Sequence, residues 1–477
     1  MRILLGLLLL TQPLMSFGNA IQTHEYKLEN DLTLIVRPDH RAPIATVQVW
    51  YKVGSSYETN GNTGLSHFLE HMMFKGTPDH PGTTFTDTIY AIGGDLNAFA
   101  AFDYTGYYEI LPTEYLDTAL ALEADRMQNL IMTDPDIFEK EKQVVLEERR
   151  MRITDQPISL LYERYLATAF NSSPYRVLPI GWHDDIAATT LHDIKYWYDT
   201  WYAPNNATVI IIGDVQPDDV LQKVKHYFEP IARKSLPTLK PQHEIKPLGQ
   251  KRVTVRVPAT LPYLLMGFHT PVLKNTPVLW EPAALTLLSG ILDGGESARL
   301  SKNLIRGSRI ANVASVDYDP YFRDQNLLTL SGVPAEGVSM ERFEAALLAQ
   351  IDLLKTELIT PEELERARKQ FMASEIYKLD SIDAQAYEIG SLESVGLSWE
   401  VSNEFLQEIL LVTPEQVQQV AKKYLLPELM TVAILEPLAL YPEQNNAEPT
   451  APTVIENKAL PTNNPETHAA QPTPLAP

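Results

Sequence analysis

Apolar and polar residues alternate along two segments near the start of the chain, TLIVRP and IATVQVWYKVG. A period of two is typical of strands with one buried face, so both segments are predicted strands. Helical spacing follows, from Thr113 to about Met132 with Thr113 as the expected N-cap, and from Asp134-Pro135 to about Arg152. The pattern therefore predicts a protein of the α+β class.

The order of elements in the first half of the chain returns in the second half. The segment WYAPNNATVIIIGDV, a turn leading into a buried strand, is similar to YLLPELMTVAILEP, and Pro204 and Pro427 stand 223 residues apart. The first strand pair has a counterpart in RVTVRVPATLPYLLMGFHTP, about 220 residues further on. We therefore expect two homologous α+β domains, each an antiparallel sheet with helices packed on it.

Composition sets the expected boundaries of these domains. Residues 232–250 are rich in proline and lysine, which indicates an extended linker. We place the N-terminal domain at residues 21–235, the linker at 236–250 and the C-terminal domain at 251–437. Residues 438–477 are rich in proline, asparagine, threonine and alanine, and this composition predicts a disordered tail.

The first 20 residues have the pattern of a secretory signal peptide. Arg2 supplies a positive charge, an apolar run follows, and Gly18-Asn19-Ala20 ends the segment with small residues that suit cleavage. The chain contains no cysteine, hence no disulfide and no lipid-modified cysteine. These features predict an exported protein, either periplasmic or secreted.

Charge and hydropathy exclude several kinds of partner. The formal net charge is -22, which argues against nucleic acid or an anionic membrane surface as a partner. The apolar run of the signal is too short to span a bilayer and no later segment is long enough, so no membrane span is expected.

One short segment, GLSHFLEHMMFKGT at residues 64–77, carries the candidate chemistry. On a helix His67, Glu70, His71 and Phe74 share one face, because residues three, four and seven apart align. Two histidines one turn apart suit a zinc ion, and the carboxylate between them is placed to act as a base for a water that zinc activates. The segment therefore predicts a zinc hydrolase.

The ends of this predicted helix are also marked in the sequence. Asn62 or Thr63 is expected to cap it, and Gly76 is suited to end it. The matching segment of the second half, ALTLLSGILDG, has the same apolar helical character without a pair of histidines. A fold that required His67 and His71 would keep them in both copies, so the pair indicates chemistry. The alternative is a helix whose histidines are merely solvated.

A catalytic zinc site needs a third protein ligand and one open position. The segment FEKEKQVVLEERR offers Glu141 and Glu148, which are seven residues apart and share a helix face, whereas Glu147 points about 100° away. An ordinary charged surface helix has the same composition, so the residues alone leave this ligand open.

These motifs resemble those of the pitrilysin, insulysin and mitochondrial processing peptidase family, the inverzincin (HxxEH) zinc peptidases, in its half-length, bacterial, exported branch. The resemblance covers about residues 22–437 and includes HFLEHMMFKGT, IGGDLNAFAAFDYTGYYE, EKEKQVVLEE and WYAPNNATVIIIGDV. It implies Glu148 as the third zinc ligand, with Glu147 as the fallback, and Glu141 as the carboxylate that orients a histidine ligand.

The same resemblance implies an activity and a substrate class. It implies two domains arranged as a clam-like half chamber, one Zn²⁺ per chain, and a zinc metalloendopeptidase with Glu70 as general base. Gly94, Asn97 and Ala98 would belong to a strand edge that pairs with the backbone of extended peptide substrates. Without the resemblance, Gly93-Gly94 is more simply a turn before a strand.

One segment departs from the family pattern. Related peptidases supply an arginine and, seven residues later, a tyrosine from their second domain, to bind substrate. In LIRGSRIANVASVDYDP, Arg306 matches the arginine, but the segment is one residue shorter than the family pattern, so that Asn312 falls where the tyrosine is expected. Tyr318 is assigned to a strand.

This departure suggests that a homologous partner subunit supplies the Arg/Tyr pair. The alternative to a peptidase is therefore a catalytically weak or inactive binding or assembly subunit of a heterodimer on the same fold. A zinc hydrolase that acts on something other than a peptide is a third hypothesis.

Overall fold

The computed structural model describes residues 22–440 of the chain. The predicted signal peptide at residues 1–20, and the predicted tail from residue 441 onward, lie outside the described residues.

Two β-sheets organise the described part of the chain, one in each half. The strands of the first sheet are β1 (His24–Lys27), β2 (Thr33–Pro38), β3 (Ile44–Tyr51), β4 (Asp95–Ala100), β5 (Thr105–Pro112) and β6 (Ala207–Gly213). The strands of the second sheet are β7 (Lys251–Pro258), β8 (Tyr263–Thr270), β9 (Ala311–Asp317), β10 (Asn326–Pro334) and β11 (Thr431–Leu438).

Five strands have the same order and pairing in both sheets, and β1 adds a sixth strand to the first, which confirms the predicted pair of similar α+β units. The strand order is β1-β2-β6-β3-β5-β4 in the first sheet and β7-β11-β8-β10-β9 in the second. Each sheet is antiparallel apart from one parallel pair, β2 with β6 and β7 with β11. The sheets are therefore mixed and not purely antiparallel as expected. Strands β6 and β11 follow long helical segments, and such a crossover connection is what a parallel neighbour requires.

Helices cover the faces of both sheets. In the first half they are α1 (Leu65–Met72), α2 (Thr84–Ala91), α3 (Leu116–Asn129), α4 (Pro135–Arg149), α5 (Pro157–Ala169), α6 (His183–Ala188), α7 (Leu191–Trp201) and α8 (Pro217–Phe228). In the second half they are α9 (Trp280–Asp293), α10 (Met340–Thr356), α11 (Pro361–Lys378), α12 (Ile382–Ser394), α13 (Val401–Leu411) and α14 (Pro414–Tyr424).

The ends of two helices test the sequence-based prediction of caps. Asp134 caps α4 as predicted, since its side chain accepts hydrogen bonds from the N–H groups of Asp136 and Ile137. The prediction for α3 is wrong, because Thr113 lies in a single 3₁₀ turn and the α-helix begins only at Leu116. The Thr113 hydroxyl is instead buried without a hydrogen-bond partner within the described residues.

Each half contributes one helix to the core of the other half. Helix α5 packs its buried face, which includes Leu161 and Tyr165, against the second sheet. Helix α12 packs against β3 and β6 of the first sheet, with Ile389 beside the fully buried Trp50. The two halves therefore stabilise each other through apolar contacts that no local sequence pattern predicts.

The segment between the two halves has no regular secondary structure. Residues 232–248 contain neither helix nor strand, and β7 begins at Lys251, where the C-terminal domain was expected to begin. Strand β11 includes Leu438, one residue beyond the expected end of that domain. Among the residues that the structure describes, no helix is long and apolar enough to cross a membrane.

Candidate metal centre

Helix α1 is held at its start by a carboxylate from the preceding turn. Gly64 adopts φ 89°, and the Glu58 side chain accepts hydrogen bonds from the N–H groups of Gly64 and Ser66, both at 2.7 Å. The predicted cap is therefore wrong. Thr63 instead donates its hydroxyl to Asp185 at 2.6 Å, which ties the turn before α1 to helix α6.

The apolar face of α1 directs its polar face toward α4. Leu65, Phe68, Leu69 and Met72 are buried in the core of the first half, which leaves the predicted polar face on the opposite side. Phe68 stacks on Phe138 of α4, with ring centroids 5.1 Å apart. This contact brings the acidic face of α4 alongside the histidines of α1.

The structure brings His67, His71 and Glu148 together. The Glu148 Oε2 atom lies 3.5 Å from His67 Nε2 and 3.1 Å from His71 Nε2. One ligand atom from each of the three residues lies within 4.8 Å of the other two. The fallback residue, Glu147, points away, with about half of its side chain exposed and an ion pair to Arg150 at 2.5 Å.

Neighbouring charges orient two of these side chains. Glu141 Oε1 lies 2.8 Å from His71 Nδ1, and Glu141 Oε2 lies 2.5 Å from Lys75 Nζ. The Glu148 Oε1 atom pairs with Arg152 Nε at 3.0 Å, which leaves Oε2 facing the imidazoles. Glu141 thus occupies the position expected of a carboxylate that fixes the ring of a metal-ligating histidine.

Burial and mutual charge shift the pKa values of this cluster in opposite directions. Burial, together with the charge of His71, lowers the pKa of His67 to about 4. Burial also opposes protonation of His71, but the hydrogen bond to Glu141 and the nearby Glu148 carboxylate outweigh it and raise the pKa of His71 to about 9. Burial raises the pKa of Glu70 to about 7. For Glu148, the nearby His71, His67 and Arg152 side chains outweigh burial and lower the pKa to about 2.

The donor set fits a zinc ion. Glu148 Oε2 is buried without a hydrogen-bond partner among the described residues, and both histidine Nε2 atoms are close to it. Two imidazoles and one carboxylate are a ligand set of catalytic zinc sites, and Glu70 lies on the same face of α1 without belonging to the set. The three residues are therefore suited to hold zinc.

The predicted substrate-binding residues lie on and beside an edge strand. Within residues 22–440, β4 has a neighbouring strand on one side, β5. Asn97 and Ala98 are in β4, and the Asn97 side chain accepts a hydrogen bond from the Ala98 N–H at 2.8 Å. Gly94 precedes the strand, and its N–H donates to Ile89 at the end of α2, so it belongs to the turn.

Within residues 22–440, the second-half residues singled out in the sequence form no hydrogen bond or ion pair with this cluster. Arg306 is exposed and donates to the backbone oxygen of Glu296. Asn312 is exposed at an irregularity of β9, since Val333 lies opposite Val313 and Pro334 lies opposite Ala311.

Tyr318 corrects the predicted strand assignment. It lies one residue beyond β9, which ends at Asp317, and it is buried with its hydroxyl donating to Pro271 at 2.7 Å.

Sequence reasoning missed a group of buried charged side chains close to the end of α1. The Arg126 guanidinium is fully buried, and it pairs with Glu123 and Glu109 while lying 5.4 Å from the Phe74 ring centroid. Burial raises the pKa of Glu109, and the neighbouring Glu123 adds to this shift. The spacing of Glu123 and Arg126 on one helix was a local signal, but their burial depends on the core around them.

His67 and His71 on an inverted HxxEH helix, with Glu148 beside them from α4, are typical of the zinc metallopeptidases. The family model described as "Insulinase (Peptidase family M16)" matches residues 33–177, and the model "Peptidase M16 inactive domain" matches residues 188–371. The Zinc protease PqqE of Helicobacter pylori is 32% identical over 358 residues, which cover 74% of this chain and 79% of that protein. The chain therefore belongs to peptidase family M16.

Further relatives agree with this assignment. The Uncharacterized zinc protease YmxG of Bacillus subtilis is 25% identical over 415 residues, covering 86% of this chain and 98% of that protein. A solved protease from Helicobacter pylori matches with a TM-score of 0.82 at 29% identity, covering 88% of this chain and all of that one. The periplasmic protease PqqL of Escherichia coli shares the fold, with a TM-score of 0.74 at 18% identity, over 92% of this chain and 51% of that chain.

Proposed function

We propose that the chain is an exported zinc metalloendopeptidase that hydrolyses peptides or unfolded polypeptide segments. The convergence of His67, His71 and Glu148, with Glu70 on the same helix face, carries this proposal. Membership of family M16 and the zinc protease names of its relatives support it. Export is supported by the signal-like N-terminus and by the shared fold of the periplasmic protease PqqL.

Each residue of the cluster has a role in this proposal. His67, His71 and Glu148 would hold one Zn²⁺, which supplies Lewis acidity when bound. Glu141 holds the His71 ring through Nδ1, which directs Nε2 toward Glu148 and would leave it free to bind the ion. Glu70 is placed to accept a proton on its carboxylate and to return it to the leaving amine.

The edge strand supplies a mode of substrate binding. A peptide added beside β4 would extend the first sheet, and pairing through backbone groups selects for extended shape more than for sequence. The Ala98 N–H would exchange its bond with Asn97 for a bond with the substrate. This mode suits peptides and unfolded segments as substrates.

Cleavage of a quenched fluorescent peptide by the mature chain tests the proposal. Glu70→Gln should lower kcat by about 10²–10⁴-fold while zinc content is kept, because the variant removes the proton acceptor and leaves the ligands in place. Glu147→Gln is the matched control, since Glu147 is an exposed glutamate that points away from the cluster and pairs with Arg150. A chelator should abolish activity, and full activity in Glu70→Gln would refute the proposal.

A second function is favoured by Asn312, the residue in place of the expected tyrosine. We propose, as the alternative, a weak or inactive subunit that is completed by a homologous partner carrying the Arg/Tyr pair. Loss of one stabilising group of this kind costs about 10²–10³ in rate. Ordinary enzyme rates from the purified, monomeric chain would rule this alternative out, whereas weak cleavage that rises with a co-purified homologue would support it.

A further inference from the structure

A loop of the second half, between β9 and β10, reaches into the first half of the molecule. Arg323 in this loop donates from Nε to Asp103 Oδ1 at 3.2 Å and from its backbone N–H to Asp103 Oδ2 at 3.1 Å. Its Nη2 donates to Ser56 Oγ at 2.8 Å, and its guanidinium lies 4.3 Å from the ring centroid of Tyr57. One side chain thus joins two separate segments of the first half.

Asp103 depends on this arginine for its charge balance. Its carboxylate is almost completely buried and also accepts hydrogen bonds from the Ser56 and Tyr175 hydroxyls, both at 2.6 Å. Among residues 22–440, Arg323 is the one cationic side chain paired with it. A buried carboxylate that loses its cation is strongly destabilised, so the pair constrains where both segments lie.

The first of these segments controls the edge strand. Asp103 lies in the tight turn between β4 and β5, which is closed by a bond from the Ala101 N–H to the Tyr104 oxygen at 2.8 Å. The residue before this turn is Ala100, the last of β4, and β4 packs directly against α1, with the Ala100 backbone beside the Glu70 carboxylate. A shift of the turn would therefore move the end of the edge strand relative to Glu70.

The second segment controls the start of the metal helix. Ser56 and Tyr57 belong to a short 3₁₀ turn, and the next residue is Glu58, which holds the first N–H groups of α1. This turn is also bonded to the hairpin, because the Ser56 N–H donates to Phe102 at 2.7 Å. The same guanidinium is therefore in contact with the supports of both β4 and α1.

We propose that Arg323 is a positioning residue that sets the edge strand β4 against the metal helix α1, and so aligns a backbone-paired peptide with Glu70. Within residues 22–440, Arg323 forms no hydrogen bond or ion pair with the candidate metal ligands or with β4, so its effect passes through Asp103, Ser56 and Tyr57. This inference rests on the proposed peptidase function. It makes the second half a contributor to the geometry of a site whose metal ligands all come from the first half.

The test compares variants of the zinc-loaded mature chain. Arg323→Gln removes the cation, Arg323→Lys keeps it, and the double variant Asp103→Asn with Arg323→Gln removes both charges, so that no buried charge is left unpaired. Arg256→Gln is the control, because Arg256 forms an exposed ion pair with Glu436 in the second half. Zinc content, melting temperature, kcat and KM are measured for each protein.

We expect zinc content to be unchanged and kcat to fall about 10–100-fold in Arg323→Gln and in the double variant, with a smaller change in KM. Arg323→Lys should recover part of kcat, and Arg256→Gln should match the wild type. A double variant with wild-type kcat would overturn the proposal, because it would show that the pair affects stability alone.

Hydrogen exchange separates this proposal from the proposed peptidase activity. Amides at residues 95–104 should exchange faster in Arg323→Gln and in the double variant than in Arg256→Gln. If the wild type cleaves no peptide, the proposed function fails, yet exchange still tests the role of Arg323. Unchanged exchange at residues 95–104 would then overturn the positioning role.

Discussion

Replacing Glu141 with glutamine tests how strongly the carboxylate behind His71 supports metal binding. Glu141 Oε1 lies 2.8 Å from His71 Nδ1, and 10% of the Glu141 side chain is exposed. The glutamine amide oxygen can still accept a hydrogen bond from this ring nitrogen, so the substitution removes the charge and keeps the shape. A weaker acceptor holds the imidazole less firmly and lowers its basicity toward a metal.

The expected magnitude follows from this one hydrogen bond. A hydrogen bond to a charged group contributes about 1.5–3 kcal/mol, against about 0.5–1.5 kcal/mol for a neutral pair. The difference, about 1–2 kcal/mol, corresponds to a zinc dissociation constant that rises about 5–30-fold. Lys75, which pairs with Glu141 Oε2 at 2.5 Å, is partly exposed and can turn to water when the charge is removed.

Competition with a chelating dye measures the zinc dissociation constant without any need for turnover. Glu139→Gln is the matched control, because Glu139 lies on the same helix, is 59% exposed and pairs with Lys142. We expect the control to bind zinc as the wild type does. Equal dissociation constants for Glu141→Gln and Glu139→Gln would refute the reasoning, since they would show that the contact with His71 does not reach the metal.

Two further predictions concern stability. In Gly390→Ala the new Cβ would lie 2.0 Å from Trp50, which should lower the free energy of unfolding by about 1–3 kcal/mol, whereas Gly249→Ala, with nothing within 4 Å, should have little effect. Equal melting temperatures for these two variants would contradict the packing of α12 on the first sheet. Burial raises the pKa of Glu58 from 4.5 to about 7, so the Glu58 carboxyl binds a proton more tightly in the folded state than in the unfolded chain. The stability that this protonated carboxyl contributes is complete below pH 4.5 and is lost as the pH rises through 7. The free energy of unfolding, measured by denaturant titration, should therefore fall less between about pH 5 and 7 in Glu58→Gln than in the wild type, by up to about 3 kcal/mol. Parallel pH profiles for the two proteins would contradict the raised pKa of Glu58.

Local spacing predicted the parts of the candidate site that lie on single helices. The common face of His67, Glu70 and His71 follows from helical periodicity, and the different directions of Glu147 and Glu148, about 100° apart, follow from the same geometry. Residues alone did not select Glu148 as the partner of the histidines. The family resemblance made that choice, and the packing of α1 on α4 produces the short distances.

The helix N-caps were predicted less well than the shared faces of the helices. Asp134 follows the local rule, since its own side chain reaches the first N–H groups of α4. Thr63 does not, because Asp185 from α6 takes its hydroxyl and Glu58 takes over the start of α1. Where a distant side chain competes for the same hydrogen bond, the local rule loses its predictive value.

The sequence by itself determined the duplicated order of strands and helices and the inverted zinc motif with its polar face. Each of these depends on periodicity within one element or on similarity between two segments, and both can be read along the chain. Only the tertiary structure decided which helix covers which sheet, as in the exchange of α5 and α12 between the halves. It also decided that Arg323 pairs with Asp103, 220 residues away in sequence. The physical reason is that burial, charge pairing and apolar packing act between residues that the fold brings together, and no local period encodes such contacts.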